Sequence, residues 1–325
     1  MHDYYHYLNL ANEAIENIYY PSEPSRLYDP IAYTMDLGGK RIRPVLTLMT
    51  CEAMGGDIDQ ALNAALGIEL FHNFTLLHDD VMDRADVRRG KPTVHSKWND
   101  NVAILSGDAM LTMATQAISR VDNDILRPML TLFNTTAIEI YEGQQYDMDF
   151  EDRDDVTVDE YIKMIRLKTS VLLGCACKAG AIISHAPDEA ASAIYDMAVN
   201  MGLAFQLQDD YLDVWGDPAT FGKEIGGDIL NNKKTFLLIN AMNLARGNDA
   251  IELHQWLNDN TSRKKEKIQP VTAIYEKLGL KQLSRDTIAH YSQMALDSLH
   301  TINNIDQEAI TEFEALINRL TNRDR

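Results

Sequence analysis

The chain is short of the residues that build β-rich, disulfide-bonded or nucleic-acid-binding proteins. Three cysteines, Cys51, Cys175 and Cys177, occur in 325 residues. An odd count with a C-x-C pair and no C-x-x-C argues against a disulfide framework and against a zinc site. Seventeen glycines and nine prolines are few for this length, which favours long helices over many short strands and turns. Basic residues are scarce too: 30 Lys and Arg against 49 Asp and Glu leave a formal charge of −19. A nucleic-acid binder needs clustered cations, so that class is excluded. No run of about 18 apolar residues is present; Ser170–Ala186 comes nearest and is broken by Lys178 and His185. Met1-His2-Asp3-Tyr4-Tyr5-His6 has neither the basic start nor the apolar run of a secretory signal, so the expected location is cytoplasmic.

What is present is helical periodicity from end to end. Pro30–Leu37 reads as a short helix stopped by Gly38-Gly39, and Arg43-Pro44 opens the next. Ile58–Met82 reads as one long helix. Thr157 and Glu160 form a capping-box pattern ahead of Tyr161–Ile183, and Pro187 starts another helix whose apolar positions continue through Phe205. No segment demands a strand. Residues 84–92, 150–156, 215–234 and 247–269 read as loops or caps, and the charge run Ser262–Lys267 as solvated surface. No repeat or linker divides the chain. The expectation is one all-α domain over residues 1–325, a bundle of long antiparallel helices around a central cavity.

Two acidic clusters carry the chemistry. His78-Asp79-Asp80-Val81-Met82-Asp83 and Gln208-Asp209-Asp210-Tyr211-Leu212-Asp213 are both D-D-x-x-D. On a helix the outer aspartates are i and i+4, so they share a face and repel one another. A hard divalent cation relieves that repulsion. Mg²⁺ suits best, because it takes oxygen ligands and is often shared with substrate phosphates. One such cluster could be no more than a solvated helix end; two, each closing an apolar helix, argue for walls that face each other over a shared cavity. The few cations concentrate nearby, in Gly38-Gly39-Lys40-Arg41-Ile42-Arg43-Pro44, Arg88-Arg89-Gly90-Lys91-Pro92, Lys168-Thr169, and Lys223 with Lys233-Lys234-Thr235. Cations beside metal-type carboxylates suggest a diphosphate-binding site.

Taken together, and in this order and spacing, these motifs resemble the trans-isoprenyl diphosphate synthases, also called polyprenyl synthetases. Gly143-Gln144, Phe221-Gly222-Lys223 and Gly227-Asp228 extend the match, which runs from about residue 27 to residue 240. The resemblance implies an isoprenoid synthase-like fold, a homodimer, and Mg²⁺ as cofactor, three ions with substrate bound. It implies head-to-tail condensation of isopentenyl diphosphate with an allylic diphosphate such as dimethylallyl, geranyl or farnesyl. Asp79, Asp83 and Asp209 resemble the family's metal ligands, with Asp80, Asp210 and Asp213 acting through water or behind them. Arg88, Lys168, Lys223 and Lys233 resemble the grips on the allylic diphosphate. Lys40, Arg43, His72 and Arg89 resemble the isopentenyl diphosphate site, and Thr169 and Gln206 face the allylic cation. The family picture gives the final proton to the released diphosphate.

Product length should depend on residues N-terminal to Asp79 on the same helix. Thr75 lies one turn back, Phe71 about 12 Å back at 1.5 Å per residue, and Phe74 flanks that line. In the family a bulky residue five before the first Asp resembles short-chain enzymes. Phe74 with Phe71 argues for three or four isoprene units, and Thr75, lacking a second adjacent ring, favours C20 over C15. The alternatives are a longer-chain synthase, a terpene cyclase-type lyase and a non-catalytic partner subunit. The last two sit poorly with two intact acidic motifs and with Lys40, Arg43 and Arg89.

Overall fold

The computed structural model describes residues 1–217, 225–259, 264–303 and 305–321, and it is all-α apart from one two-residue ribbon. The helices in chain order are α1 Tyr4–Glu16, α2 Ser25–Asp36, α3 Ile42–Ala53, α4 Ile58–Met82, α5 Val94–Lys97, α6 Asp100–Ile118, α7 Asn123–Glu151, α8 Val158–Ile165, α9 Val171–Ile183 and α10 Asp188–Trp215. Further helices span Gly227–Leu230, Phe236–Leu244, Asn248–Leu257, Ile268–Lys277, Leu280–His300 and Gln307–Thr321. Among the described residues no helix is long and apolar enough to cross a membrane.

Two compact units emerge from the contacts. The first comprises Met1–Thr135, Leu172–Tyr195 and Ile302–Glu312; the second comprises Thr136–Val171, Asp196–Thr301 and Phe313–Arg325.

In the first unit α4 is central, packed against α3 and α6. Its buried positions include Ala61, Ala64, Ala65, Ile68, Glu69, Leu70, Phe71, Asn73, Phe74, Leu77 and Asp80, which covers every side of the helix rather than one stripe, as in a core helix. Asp57 accepts from the Asp59 N–H to cap its start, and Asp83 is its C-cap, so the ends match the expected Ile58–Met82. Cys175 and Cys177 are buried, as small apolar packers should be.

The second unit gathers a core from Val214, Ile229, Leu237, Leu238, Ala241, Leu253, Val271, Ile274, Tyr275 and Leu280. The expected capping box is complete: Thr157 accepts from the Glu160 N–H while Glu160 accepts from the Thr157 N–H, which opens α8.

Several local readings change. The helix expected from Pro30 begins at Ser25 and carries Pro30 inside, where the missing N–H removes the bond to the Arg26 carbonyl. Residues 84–92 form an antiparallel hairpin, Val87–Arg88 against Lys91–Pro92. Its two loop residues, Arg89 and Gly90, both have positive φ (51° and 75°), the requirement of a type I′ turn. The stretch 247–269, read as irregular, contains the helix Asn248–Leu257. In the run Ser262–Lys267, Ser262 and Arg263 lie outside the described residues, and Lys267 is buried rather than solvated, because its ammonium donates to the Asn232 side-chain carbonyl.

Candidate active site

In the first unit the acidic motif closes α4. Asp79 is half-buried, Asp80 is buried and Asp83, the C-cap, is exposed. One of these aspartates is engaged by a nearby cation of the same unit. The hairpin folds Arg88 back, so that its Nε donates to Asp80 Oδ1 and Oδ2 at 2.8 and 2.9 Å and its Nη2 lies 2.7 Å from Asp80 Oδ1. Asp79 Oδ2 is 3.8 Å from the same Nη2. Burial raises the Asp80 carboxyl above its usual range despite the opposing pull of Arg88. Asp79 and Asp83 thus stand one turn apart with Asp80 turned onto Arg88.

Beside them lies a cluster of cations. Gly38 and Gly39 have φ of 77° and 144°, and Arg89 donates to the Gly38 carbonyl across that turn. A Cβ on Gly39 would come within 2.9 Å of the movable Arg89 guanidinium, and glycine is needed there for its backbone. Arg41 follows at φ 47° as the N-cap of α3. The left-handed conformation costs such a residue on the order of 1 kcal/mol. Its guanidinium is buried and donates to Glu69 Oε1 at 2.7 Å and to the Met35 carbonyl at 2.6 Å. Arg43, in the first turn of α3, has a buried Nε with no hydrogen-bond partner among the described residues. Burial pushes its pKa down to about 10; Glu69 resists that shift and Arg89 adds to it. His72 faces the same group. Burial, then Arg43, Arg89, Arg88 and Arg41, hold its pKa well below the ordinary value, so it is neutral at physiological pH. Lys40 is exposed, its carbonyl accepting from the Tyr4 hydroxyl at 3.1 Å.

N-terminal to the acidic motif the expected aromatic layer is present. Phe71 and Phe74 are buried with ring centroids 5.5 Å apart. Phe133 of α7 meets Phe71 edge-on at 5.1 Å, and His78 meets Phe74 at 4.8 Å. Thr75 bonds its own helix, donating to the His72 carbonyl at 2.8 Å.

The second unit carries the other motif on α10. Asp209 is half-buried, whereas Asp210 and Asp213 are buried. Asp210 accepts from the Tyr161 hydroxyl and, at 3.3 Å, from Gln206 Nε2. Burial and the nearby Asp228 push the Asp210 carboxyl up to about 7, against the pull of Tyr161, Lys233 and Gln206. Asp213 Oδ2 accepts from the Asp228 N–H at 3.0 Å. Lys168 and Thr169 lie in a five-residue π turn, Arg166–Ser170, between α8 and α9. A Cβ on Gly143 would lie 2.3 Å from the Lys168 nitrogen, so this turn needs glycine on α7. Lys168 Nζ reaches Asp147 Oδ2 at 2.6 Å. Burial tends to raise Asp147, yet Lys233 and Lys168 hold it below the usual carboxylate range. Thr169 Oγ1 lies 3.5 Å from Gln206 Oε1. Lys223, with Phe221 and Gly222, lies outside the described residues.

Sequence reasoning missed Glu69, Asp147, Tyr161 and Asp228 as members of these clusters. Gly227-Asp228 was in the matched motif and could have flagged Asp228; the other three are isolated letters on helices with no motif of their own.

Comparison with known proteins gives the family. The family model described as polyprenyl synthetase matches residues 24–277. The chain is 43% identical over 233 residues to a geranylgeranyl diphosphate synthase of Methanosarcina mazei, covering 71% of this chain and 72% of that one. It is 36% identical over 301 residues to a short chain isoprenyl diphosphate synthase of Methanothermobacter thermautotrophicus, covering 92% of each. A crystal structure of a geranylgeranyl pyrophosphate synthase superposes with a TM-score of 0.94 at 46% identity, over 99% of both chains. The chain belongs to the polyprenyl synthetase family, and it is a prenyl transferase.

Proposed function

We propose that the enzyme condenses isopentenyl diphosphate with an allylic diphosphate, head to tail and trans, and that its product is geranylgeranyl diphosphate. The observation that carries the reaction is the pairing, in one unit, of the Asp79 and Asp83 carboxylates with half-buried Arg43, Arg88 and neutral His72 and with exposed Arg89. Product length rests on the buried Phe71–Phe74 layer N-terminal to those aspartates.

Mg²⁺ fits the donor set. Two hard carboxylates one turn apart on α4 offer the one or two protein ligands that this ion usually takes, the rest coming from water and phosphate. Asp79 and Asp83 would hold it in the first unit, with Asp80 behind them, and Asp209 would offer a metal ligand in the second, with Asp210 and Asp213 behind it. Bound there, it would neutralise the charge that builds on the departing diphosphate.

The chain's own groups do the remainder. Arg88, Lys168, Lys223 and Lys233 grip the allylic diphosphate as its C1–O bond breaks and the electron pair leaves with the diphosphate. Asp147 holds Lys168 in place for that task. Thr169 and Gln206 offer oxygen to the allylic cation; Gln206 keeps its amide nitrogen on Asp210, which leaves Oε1 toward Thr169. Lys40, Arg43, His72 and Arg89 hold isopentenyl diphosphate so that its double bond attacks C1. A neutral His72 can donate one hydrogen bond to a phosphate oxygen without adding charge. The proton lost from the new unit passes to the released diphosphate.

The same proposal makes residues 1–325 one working domain, assembled as a homodimer in the cytoplasm. Ile104 and Leu105 on α6 are 45% and 60% exposed, an apolar strip that a second copy would cover; light scattering tests the dimer and fractionation the location. The decisive experiment incubates the enzyme with isopentenyl diphosphate and each allylic starter, with and without Mg²⁺, and reads the product by chromatography. Geranylgeranyl diphosphate formed only with Mg²⁺ is expected. A cyclic hydrocarbon, or no elongated diphosphate from any starter, would refute the reading, and a longer diphosphate would refute the C20 assignment.

A further inference from the structure

Arg41 stands between Lys40 and Arg43, two residues assigned to isopentenyl diphosphate, yet it turns the other way. Its side chain is 4% exposed and that of its partner Glu69 3% exposed. Both Nη atoms are engaged, one on Glu69 Oε1 and one on the Met35 carbonyl. Glu69 is held in turn by Asn73, whose Nδ2 lies 3.1 Å from Oε1 and 2.8 Å from the Glu69 carbonyl. Asn73 also lines a small cleft with Asp80, Arg88 and Arg89. The pair therefore joins the turn that carries the grips to the helix that carries His72 and the aspartates.

Two features say that this pair is more than packing. A left-handed backbone is easiest for glycine or asparagine, so an arginine at φ 47° carries a strain that its side-chain contacts have to offset. A buried ion pair is also a poor source of stability, since apolar residues of similar volume often serve as well or better. What it supplies is a fixed geometry: a planar fork, held on two acceptors, pins the residue between Lys40 and Arg43.

We infer that Arg41 and Glu69, braced by Asn73, are positioning residues that set the placement of Lys40 and Arg43 for isopentenyl diphosphate without touching it. The inference rests on the reading of Lys40 and Arg43 given above. Glu69 has a second effect, because its charge offsets Arg41 and leaves Arg43 and Arg89 as the cations open to a phosphate group.

The test is steady-state kinetics in excess Mg²⁺, with isopentenyl diphosphate and geranyl diphosphate varied separately, on Arg41→Gly, Arg41→Lys, Glu69→Gln and Arg43→Gln. Glu69→Gln and Arg41→Lys should raise KM for isopentenyl diphosphate about tenfold while KM for geranyl diphosphate stays within about twofold. Arg41→Gly relieves the backbone strain but strands the Glu69 charge, so it should melt below the wild type and still show the raised KM; the Arg41→Gly/Glu69→Gln double variant, which strands no charge, serves should a single variant not fold. A parallel rise in both KM values, or a fall in kcat alone, would mean a general structural role and overturn the inference. If Arg43→Gln raises KM for isopentenyl diphosphate and folded Arg41→Gly and Glu69→Gln do not, only the positioning inference fails. If Arg43→Gln leaves that KM unchanged, the assignment of the subsite itself is wrong and the inference falls with it.

Discussion

Replacing Phe74 with alanine should lengthen the product by one isoprene unit. Along α4, five residues separate Phe74 from Asp79 and eight separate Phe71 from it, so the two rings stand about 7.5 and 12 Å from the aspartate at 1.5 Å per residue. Removing the upper ring lowers the floor by roughly 4.5 Å, room on the order of one five-carbon unit, before the growing chain meets Phe71. Phe71, fully buried and braced edge-on by Phe133, then becomes the floor. The expected product of Phe74→Ala is C25, and the Phe71→Ala/Phe74→Ala double variant should extend further. Stability supplies an independent check. Truncating a buried phenylalanine costs about 3–5 kcal/mol when the cavity is left empty, so Phe74→Ala should melt lower alone and recover when a long prenyl diphosphate fills the space. The assay is product analysis by chromatography beside thermal melts with and without product. An unchanged product from a folded Phe74→Ala enzyme would refute the argument, because it would mean that the chain grows along another face.

Four other outcomes follow from the second unit. Tyr161→Phe removes the hydroxyl donor to Asp210, a bond to a charged group worth about 1.5–3 kcal/mol; kcat should fall and the acid limb of the pH–rate profile should move up, and an unshifted limb would argue against Asp210 in the site. Because the folded Asp210 is raised to about 7, its contribution to stability is present below the ordinary carboxylate range and is lost as pH rises toward about 7. Mg²⁺ binding requires the ionised form, so the gain in melting temperature on adding Mg²⁺ should grow across that window, which scanning calorimetry measures directly. Gly143→Ala would push a methyl group against the π turn that carries Lys168 and Thr169; a displacement near 1 Å at such groups costs roughly 100-fold in rate, and wild-type kinetics would contradict the role given to that turn. Thr157→Ala should cost about 1 kcal/mol by removing the cap of α8, read as a shift of the urea midpoint at an unchanged slope.

What the sequence made legible was local. The limits of α4 were readable because an aspartate cap, an uninterrupted apolar run and a terminal D-D-x-x-D lie within one segment. The capping box of α8 was readable for the same reason. The π turn at Arg166–Ser170 was not, since its geometry depends on the missing side chain of Gly143, far away in sequence on another helix. Nor was the burial of Lys267, which needs the carbonyl of Asn232. The motifs pointed to the proposed gripping residues but not to what holds them: Arg88 was legible as a cation, its engagement by Asp80 only through a hairpin that turns the chain back.

Those holding contacts bear on how a chain of net charge −19 can bind substrates that are themselves strongly anionic. Overall charge would oppose approach, so the local arrangement has to overcome it. In each unit a carboxylate already fixes a cation of the site: Asp80 holds Arg88, and Asp147 holds Lys168. Side chains that are ordered beforehand lose less entropy when the diphosphate arrives. Asp80 also offsets the burial of Arg88, whose pKa is raised despite the desolvation that opposes it. A diphosphate can then share the cation with its resident aspartate instead of ordering a free side chain, and Mg²⁺ can offset the repulsion between phosphate and carboxylate. The acidic composition is therefore compatible with anion binding, provided that each grip is preset in this way. Asp147→Asn tests the point: with its ion pair to Asp147 weakened, Lys168 would be held less firmly, and KM for geranyl diphosphate should rise by about tenfold even though a negative charge has been removed beside it. A lowered KM would show that simple charge repulsion, and not preorganisation, governs binding there.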